Sequence, residues 1–576
     1  MLLNASLVVL ITVLLPVLVG KFWAYQLGLY GLYAAAAVGL GLCWGQAGFL
    51  PLGQALFFGV AAYLSGFAFI HFLDHPFIAV LLLPVAALAA GLLAYVIGIL
   101  IFRRRGESGP YFSMITLALS LLGFQVATSW NSVTGGFDGL KDIPGIPGLD
   151  DISDTYYLSA GVLLMILALA GWLRHAPVGV LWRALAQNER RLLLFGFDTN
   201  HLKSVAFGMS GLMAGIAGAI YAPEQGIVTP QLVGFGLSAD LVIWTAIGGR
   251  GSLLGPVIGS LLVGSLSSQL RDSFVYWEVL MAIFFIAVVL AFPQGIAGLA
   301  APLGRHFAAR RRFRRPIAVV PRTAPERPAL LAIDAATVTI GEVTLLDRLS
   351  LCFDRAGIYC VIGPNGAGKT SMFNLVTGEL AATAGKVMLD QVEVSGLEPH
   401  SITRRGLSRK LQIPSVFPDL AITDNLAIAQ WSGRASGLAL LDPRLRRWKT
   451  PMLEELCKRY PFLADADRRA AALSHGEQQI LELAMALLTE PRVLLLDEPC
   501  AGLSPEETAA LIDALRWAAG KLPGAIVIVI EHDMAVVKEL AETIFVLHNG
   551  GLLAEGDVAA IQANDKVRAV YVGAEK

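Results

Sequence analysis

Over its first 304 residues the chain alternates between apolar runs of about membrane length and short polar joints. Residues 3–20 are almost wholly apolar. They lack a convincing basic leader and small-residue cleavage site, so they read as a first membrane span and not as a signal peptide. Further runs at 27–44, 51–73, 77–102, 111–129, 156–173, 204–222 and 274–292 each approach the ~20 residues that cross a bilayer. Between the last two lie shorter pieces, 236–247 and 253–267, split by Gly248-Gly249-Arg250-Gly251-Ser252. Two readings stay open there: discontinuous helices beside a transport path, or two tightly packed spans joined by a sharp turn. The pattern predicts about ten crossings, or about eight if the short pair is re-entrant.

Beyond residue 329 the pattern changes. Short β-favouring apolar runs now alternate with helical ones, as in an α/β domain with a helical insert. Residues 305–328 belong to neither regime. From Gly304 to Pro328 there are eight Arg, Pro316, Pro321 and Pro325, and Glu326 as the single acid. Such a stretch cannot bury a core and reads as a tether, its arginines against anionic lipid headgroups. The expected division is therefore a membrane domain at 1–304, a linker at 305–328 and an α/β domain at 329–576.

Composition supports the membrane reading. The chain is 55% hydrophobic and 15% charged, where soluble proteins carry about a quarter charged. Its net charge of −1 gives no reason to expect a nucleic-acid partner. Charge placement sets orientation. Arg103-Arg104-Arg105, the segment 174–203 and the run after Pro293 are basic and should be cytoplasmic. The loop 130–155 carries Asp138, Asp142, Asp150, Asp151 and Asp154 against Lys141 and should face outward. Glycines run through the spans (Gly39, Gly41, Gly45, Gly48, Gly53, Gly59, Gly66), where small residues let helices approach closely. The five Cys are scattered and read as core residues in a reducing compartment. Leu181 to Arg191 has an amphipathic helix pattern ending near Gly196. It is either an interfacial helix on the membrane or a cytoplasmic peg that docks into the α/β domain on the same chain.

The chemistry concentrates in the second half. Gly363-Pro364-Asn365-Gly366-Ala367-Gly368-Lys369-Thr370-Ser371 fits G-x-x-x-x-G-K-[ST]. An apolar strand pattern, Ile358–Ile362, precedes it and a helix start follows. Glycines let successive N–H groups turn inward on phosphate oxygens, and the helix N-terminus adds partial positive charge. Lys369 is expected on the β/γ-phosphates and Thr370 on Mg²⁺. Gln412 is a candidate for touching Mg²⁺ and the attacking water. Ser474 opens a helix and, with Gly476, leaves donors for an anion, although an ordinary capped helix explains the same residues. Val493–Leu496 is a buried strand ending in Asp497 and Glu498. Asp497 is placed to hold Mg²⁺ and Glu498 to orient or deprotonate water. His532 follows another buried strand, at the edge where α/β proteins bind ligands.

Together these residues resemble the ATPase of ABC transporters. The resemblance covers 329–576: Walker A at 363–370, a Q-loop at Gln412, a signature at 473–477, Walker B at 493–497, catalytic Glu498 and switch His532. It implies a polytopic α-helical membrane domain followed by an α/β P-loop ABC-type ATPase that uses ATP and Mg²⁺. It also implies head-to-tail pairing of two such domains, with Ser474 and Gly476 serving the partner's nucleotide. The subfamily looks like branched-chain amino acid importers and their urea or amide relatives, through residues 363–374, 497–508 and 530–534, and in the membrane half through 52–59, 134–140 and 248–256. The residues depart from that pattern at three places. Ile340 stands where an aromatic usually stacks on adenine. His475 and Glu477 stand where Gly and Gln are common, and Ser504 where Asp is common. The resemblance implies import of small amino acids across a bacterial inner membrane. The partners would be an extracytoplasmic binding protein and either a second copy or separate permease and ATPase subunits. Three alternatives are a urea or short-amide importer, an exporter half-transporter, and a membrane-tethered regulatory ATPase without transport.

Overall fold

The computed structural model describes residues 15–16, 18–103, 109–149, 151–292, 294–299, 317–319, 328–413 and 415–572. The apolar stretch 3–20 for all but its last residues, Arg104, Arg105, Asp150, and the tether at 305–328 apart from 317–319 and Pro328 lie outside them. The chain divides into two compact units. One holds residues 1–186 and 200–313, the other 187–199 and 314–576.

The first unit is helical because apolar runs with few breakers satisfy their backbone groups internally. Its helices are α1 (Lys21–Gly41, continued by a π-helical turn Leu42–Ala47), α2 (Gln54–His71), α3 (Pro76–Phe102), α4 (Pro110–Ser129), α5 (Ile152–His175) and α6 (Pro177–Gln187). After the excursion through the second unit come α8 (Thr199–Gln225), α9 (Phe235–Gly248), α10 (Gly255–Ser273) and α11 (Trp277–Ala291). Prolines at the first turns of α3, α4 and α10 sit where a missing N–H costs nothing. Among the described residues, six helices are long and apolar enough to cross a membrane. The short pair α9 and α10 is tightly packed. A Cβ on Gly248 would stand 1.8 Å from the Gly255 carbonyl, and one on Gly259 1.8 Å from that of Trp244. Buried polar groups are bonded across helices: Gln54 Nε2 donates to Ser210 O at 3.0 Å, and Ser65 Oγ to Ala219 O at 2.7 Å.

The second unit is built on two main sheets, and a third, two-stranded parallel pair joins Ile317–Ala318, within the stretch read as a tether, to Trp448–Lys449. Strands β1 (Leu331–Ile340) and β2 (Val343–Phe353), with β4 (Ala384–Leu389) and β5 (Val392–Glu393), form an antiparallel sheet in the order β2-β1-β4-β5. Strand β3 (Gly357–Ile362), followed by α12 (Lys369–Val376), belongs to a six-stranded sheet with β6 (Leu407–Lys410), β7 (Val493–Asp497), β8 (Ile526–Ile530), β9 (Thr543–His548) and β10 (Gly551–Gly556). The order is β10-β9-β3-β8-β7-β6, parallel except for β10. β7 and β8 read Val-Leu-Leu-Leu-Asp and Ile-Val-Ile-Val-Ile and are buried throughout, as strands covered on both faces must be. Phe353, Phe373, Leu495, Ile528 and Phe545 lie in the core between the sheets.

The amphipathic stretch predicted as one helix from Leu181 to Arg191 is broken. α6 ends at Gln187, and α7 (Glu189–Leu193) begins after Asn188, whose side chain accepts from Arg191 N at 2.9 Å. An N-cap requires extended backbone, which ends one helix as it starts the next. Residues 187–199 pack within the second unit. There Asn188 Nδ2 donates to Ser415 Oγ at 2.8 Å, Asp419 N to Gln187 Oε1 at 2.9 Å and Arg404 Nε to Gly196 O at 2.7 Å.

Candidate nucleotide site

The loop between β3 and α12 carries Gly363, Pro364, Asn365, Gly366, Ala367 and Gly368, and Lys369, Thr370 and Ser371 begin the helix. Gly366 has φ +81° and open space where a Cβ would stand, so the mouth of the loop is clear. Gly368, at φ +98°, caps the helix without a side chain of its own. Buried Lys369 folds back over this loop, its Nζ donating to Gly363 O at 2.8 Å and Pro364 O at 3.0 Å. Burial pulls the Lys369 ammonium below its ordinary pKa, while Glu498 and Asp497 pull it back up. A flexible cation over an open, glycine-lined helix start can receive phosphate oxygens.

β7 and β8 deliver the acids. Asp497 is buried at the end of β7. Burial pushes its carboxyl above the usual aspartate range, and Arg409 opposes this with Nη2 donating to Asp497 Oδ2 at 2.9 Å. Glu498 follows at φ +43°, an uncommon region for a glutamate. Its amide donates to Ile530 O at 2.9 Å. Its Oε2 accepts from Gln412 Nε2 at 2.6 Å. Gln412 and Glu498 are thus brought together, and Asp497 is the adjoining residue. His532 leaves the end of β8 with its ring exposed and Nδ1 4.0 Å from the Glu531 carboxylate. Thr370 lies in the first turn of α12 and is exposed.

Ser474 and Gly476 open α16 (His475–Leu488), beside the start of α17 (Pro505–Lys521); α13 (Pro399–Arg404), α14 (Ile422–Trp431) and α15 (Pro451–Arg459) precede them. Ser474 and Glu477 form a reciprocal capping box, with Ser474 N donating to Glu477 Oε2 at 2.9 Å and Glu477 N to Ser474 Oγ at 3.2 Å. Arg468 holds the same carboxylate through both oxygens, at 2.9 and 2.7 Å. Ser504 caps α17 in the same manner, with Glu507. Ile340 is 55% exposed at the end of β1.

Sequence reading passed over Arg409, Glu379 and Glu482. Arg409 stands three residues before Gln412, and only its fork-shaped chemistry hinted that it could span two acids.

The family described as "Branched-chain amino acid transport system / permease component" matches residues 22–291, and the family "ABC transporter" matches 346–501. The high-affinity branched-chain amino acid transport ATP-binding protein LivG of Salmonella typhimurium is 34% identical over 250 residues, spanning 42% of this chain and 98% of that protein. BraF of Pseudomonas aeruginosa, named for the same transport, is 34% identical over 254 residues with the same coverage. A solved nucleotide-free ATP-binding cassette from an ABC transporter is 24% identical, spans 42% of this chain and 98% of that one, and has a TM-score of 0.37.

Proposed function

Since the chain belongs to the ABC transporter family, and joins in one multi-pass membrane polypeptide a permease component to an ATP-hydrolysing cassette, we propose that it imports branched-chain or related small amino acids, supplied by an extracytoplasmic binding protein. The observation that carries this reading is the pairing of the two families on one chain, with the 187–199 peg from between α6 and α8 seated in the cassette's unit. The permease is taken as 1–304, the tether as 305–328 and the cassette as 329–576.

In this reading the backbone of 363–371, with Lys369, holds the triphosphate. Thr370, Gln412 and Asp497 are the Mg²⁺ side, and the metal supplies charge neutralisation at the phosphates when bound. Glu498, oriented by Gln412, takes the proton of the attacking water, and His532 approaches the γ-phosphate. A second cassette, from another copy or a partner subunit, receives Ser474 and Gly476 against its nucleotide.

The test is uptake into proteoliposomes holding ATP inside, with the binding protein outside. Labelled leucine should accumulate, and accumulation should stop in Glu498→Gln. Accumulation of urea or a short amide in place of leucine would overturn the substrate. Efflux would overturn the direction.

A further inference from the structure

Arg409 sits between the peg and the acid at the end of β7, and both terminal nitrogens of its fork are engaged. Nη1 donates to Asn374 Oδ1 at 2.6 Å and to Glu379 Oε2 at 2.8 Å, while Nη2 donates to Asp497 Oδ2 at 2.9 Å. The side chain is 1% exposed and lies 5.5 Å over the Phe373 ring. Asn374 and Phe373 belong to α12, the helix that begins at Lys369. One guanidinium therefore fixes Asp497 relative to the phosphate loop's own helix.

The peg grips this residue directly through Arg191 and indirectly through Arg190. Arg191 Nη1 donates to the Arg409 carbonyl at 2.6 Å. Arg190 pairs with Glu379 through Oε1, the oxygen that Arg409 does not use. Arg191 is itself held by Glu482, 3.2 Å away, with both side chains out of solvent. A displacement of the peg thus reaches Arg409 by its backbone and by the carboxylate it shares. A displacement of Arg409 turns Asp497.

We infer that Arg409 is a positioning residue through which docking of the 187–199 peg sets the orientation of Asp497 and so the metal affinity of the nucleotide site. The inference rests on the reading of Asp497 as the Mg²⁺ carboxylate. With Oδ2 held by Arg409, Oδ1 is the oxygen that would be left to ligate a metal. Lysine would keep the charge but, as a point donor, could not bridge Asp497 to Glu379 and Asn374.

The experiment uses the full chain in lipid nanodiscs. Mn²⁺ binding in the presence of ADP is read by electron paramagnetic resonance, and ADP binding in EDTA by fluorescence. Arg409→Lys should weaken Mn²⁺ binding by roughly tenfold and leave ADP binding in EDTA within about twofold. Arg191→Met does not touch Asp497, yet should weaken Mn²⁺ binding in the same direction. If Arg409→Lys does not assemble, Glu379→Gln, which loosens Arg409 without contacting Asp497, should give the same weakening. A shift in Arg409→Lys without one in Arg191→Met overturns the coupling to the peg. Unchanged Mn²⁺ binding in Arg409→Lys or Glu379→Gln, alongside a shift in Asp497→Asn, overturns the relay alone. Unchanged binding in Asp497→Asn overturns the assignment of the carboxylate, and the relay with it.

Discussion

Arg191 and Glu482 meet at 3.2 Å with side chains 1% and 0% exposed, a peg arginine closed over by a cassette glutamate. Lys410 lies 3.7 Å from the other oxygen of the same glutamate. Burial pulls the pKa of both cations down; Glu482 pulls each back up, and their cationic neighbours add to the lowering. The cluster survives burial because its charges compensate.

Glu482→Gln is therefore expected to cost about 3–5 kcal/mol, because it leaves two buried cations without their counter-charge. Arg191→Met should cost clearly less, since the Lys410–Glu482 pair remains. Thermal unfolding of the two variants beside the parent checks the order. An equal loss in both would mean that the Lys410–Glu482 pair adds nothing to the Arg191–Glu482 pair.

Glu498→Gln should lower ATP turnover by roughly 10²–10⁴-fold, the usual contribution of a positioned general base. The Gln412 amide, 2.6 Å from Glu498 Oε2, can still donate to the new amide oxygen, so the loop should keep its shape. Nucleotide affinity should stay within a few-fold. A variant that turned over ATP at the parent rate would remove Glu498 from the chemistry.

Much of this was legible in the residues. Runs such as Val493–Leu496 and Ile526–Ile530, too short for helices and in the second case wholly β-branched, read as buried strands, and the acid or His at their ends follows from chain order. Six of the predicted membrane runs, those at 27–44, 51–73, 77–102, 111–129, 156–173 and 204–222, were legible as long apolar helices because lipid forces long uninterrupted apolar runs. The break at Asn188 carried a readable signal, an Asn followed by Glu189, but the strong amphipathic pattern across it masked the cap. The burial of Arg191 and the role of Arg409 were not legible. Both depend on Glu482, Glu379 and Asp497, which are remote in sequence, and an arginine's neighbours do not announce whether its charge will be paired inside the fold.

Glu477 gives a pH signature. Burial pushes its carboxyl up, but hydrogen bonds from Arg468 and the Ser474 backbone outweigh this and leave it below the ordinary glutamate value. A carboxyl depressed on folding adds stability above its unfolded value, and that addition is lost as pH falls through the folded one. Glu477→Gln should therefore be less stable than the parent at pH 7. The gap should close as pH drops below about 4.3. Melting curves of the two proteins from pH 7 to pH 3 check this; a constant gap would assign the effect to the cap geometry alone.

The pair α9 and α10 depends on glycine for its closeness. A Cβ on Gly259 would stand 1.8 Å from the Trp244 carbonyl and 3.1 Å from Gly248 N, so backbone, not a movable side chain, would have to yield. Lipid supplies no burial from water to hold helices together, so contacts of this kind are what binds them. Gly259→Ala should destabilise the membrane unit by about 1–3 kcal/mol, the range for an overpacked contact. Gly236→Ala is the control within the same helix pair, since nothing lies within 4 Å of its added Cβ. It should be neutral or slightly stabilising, because alanine favours the helix. Thermal stability in detergent, followed by fluorescence-detected size exclusion, separates the two. If both variants melt with the parent, the close approach of α9 and α10 does not hold the bundle together.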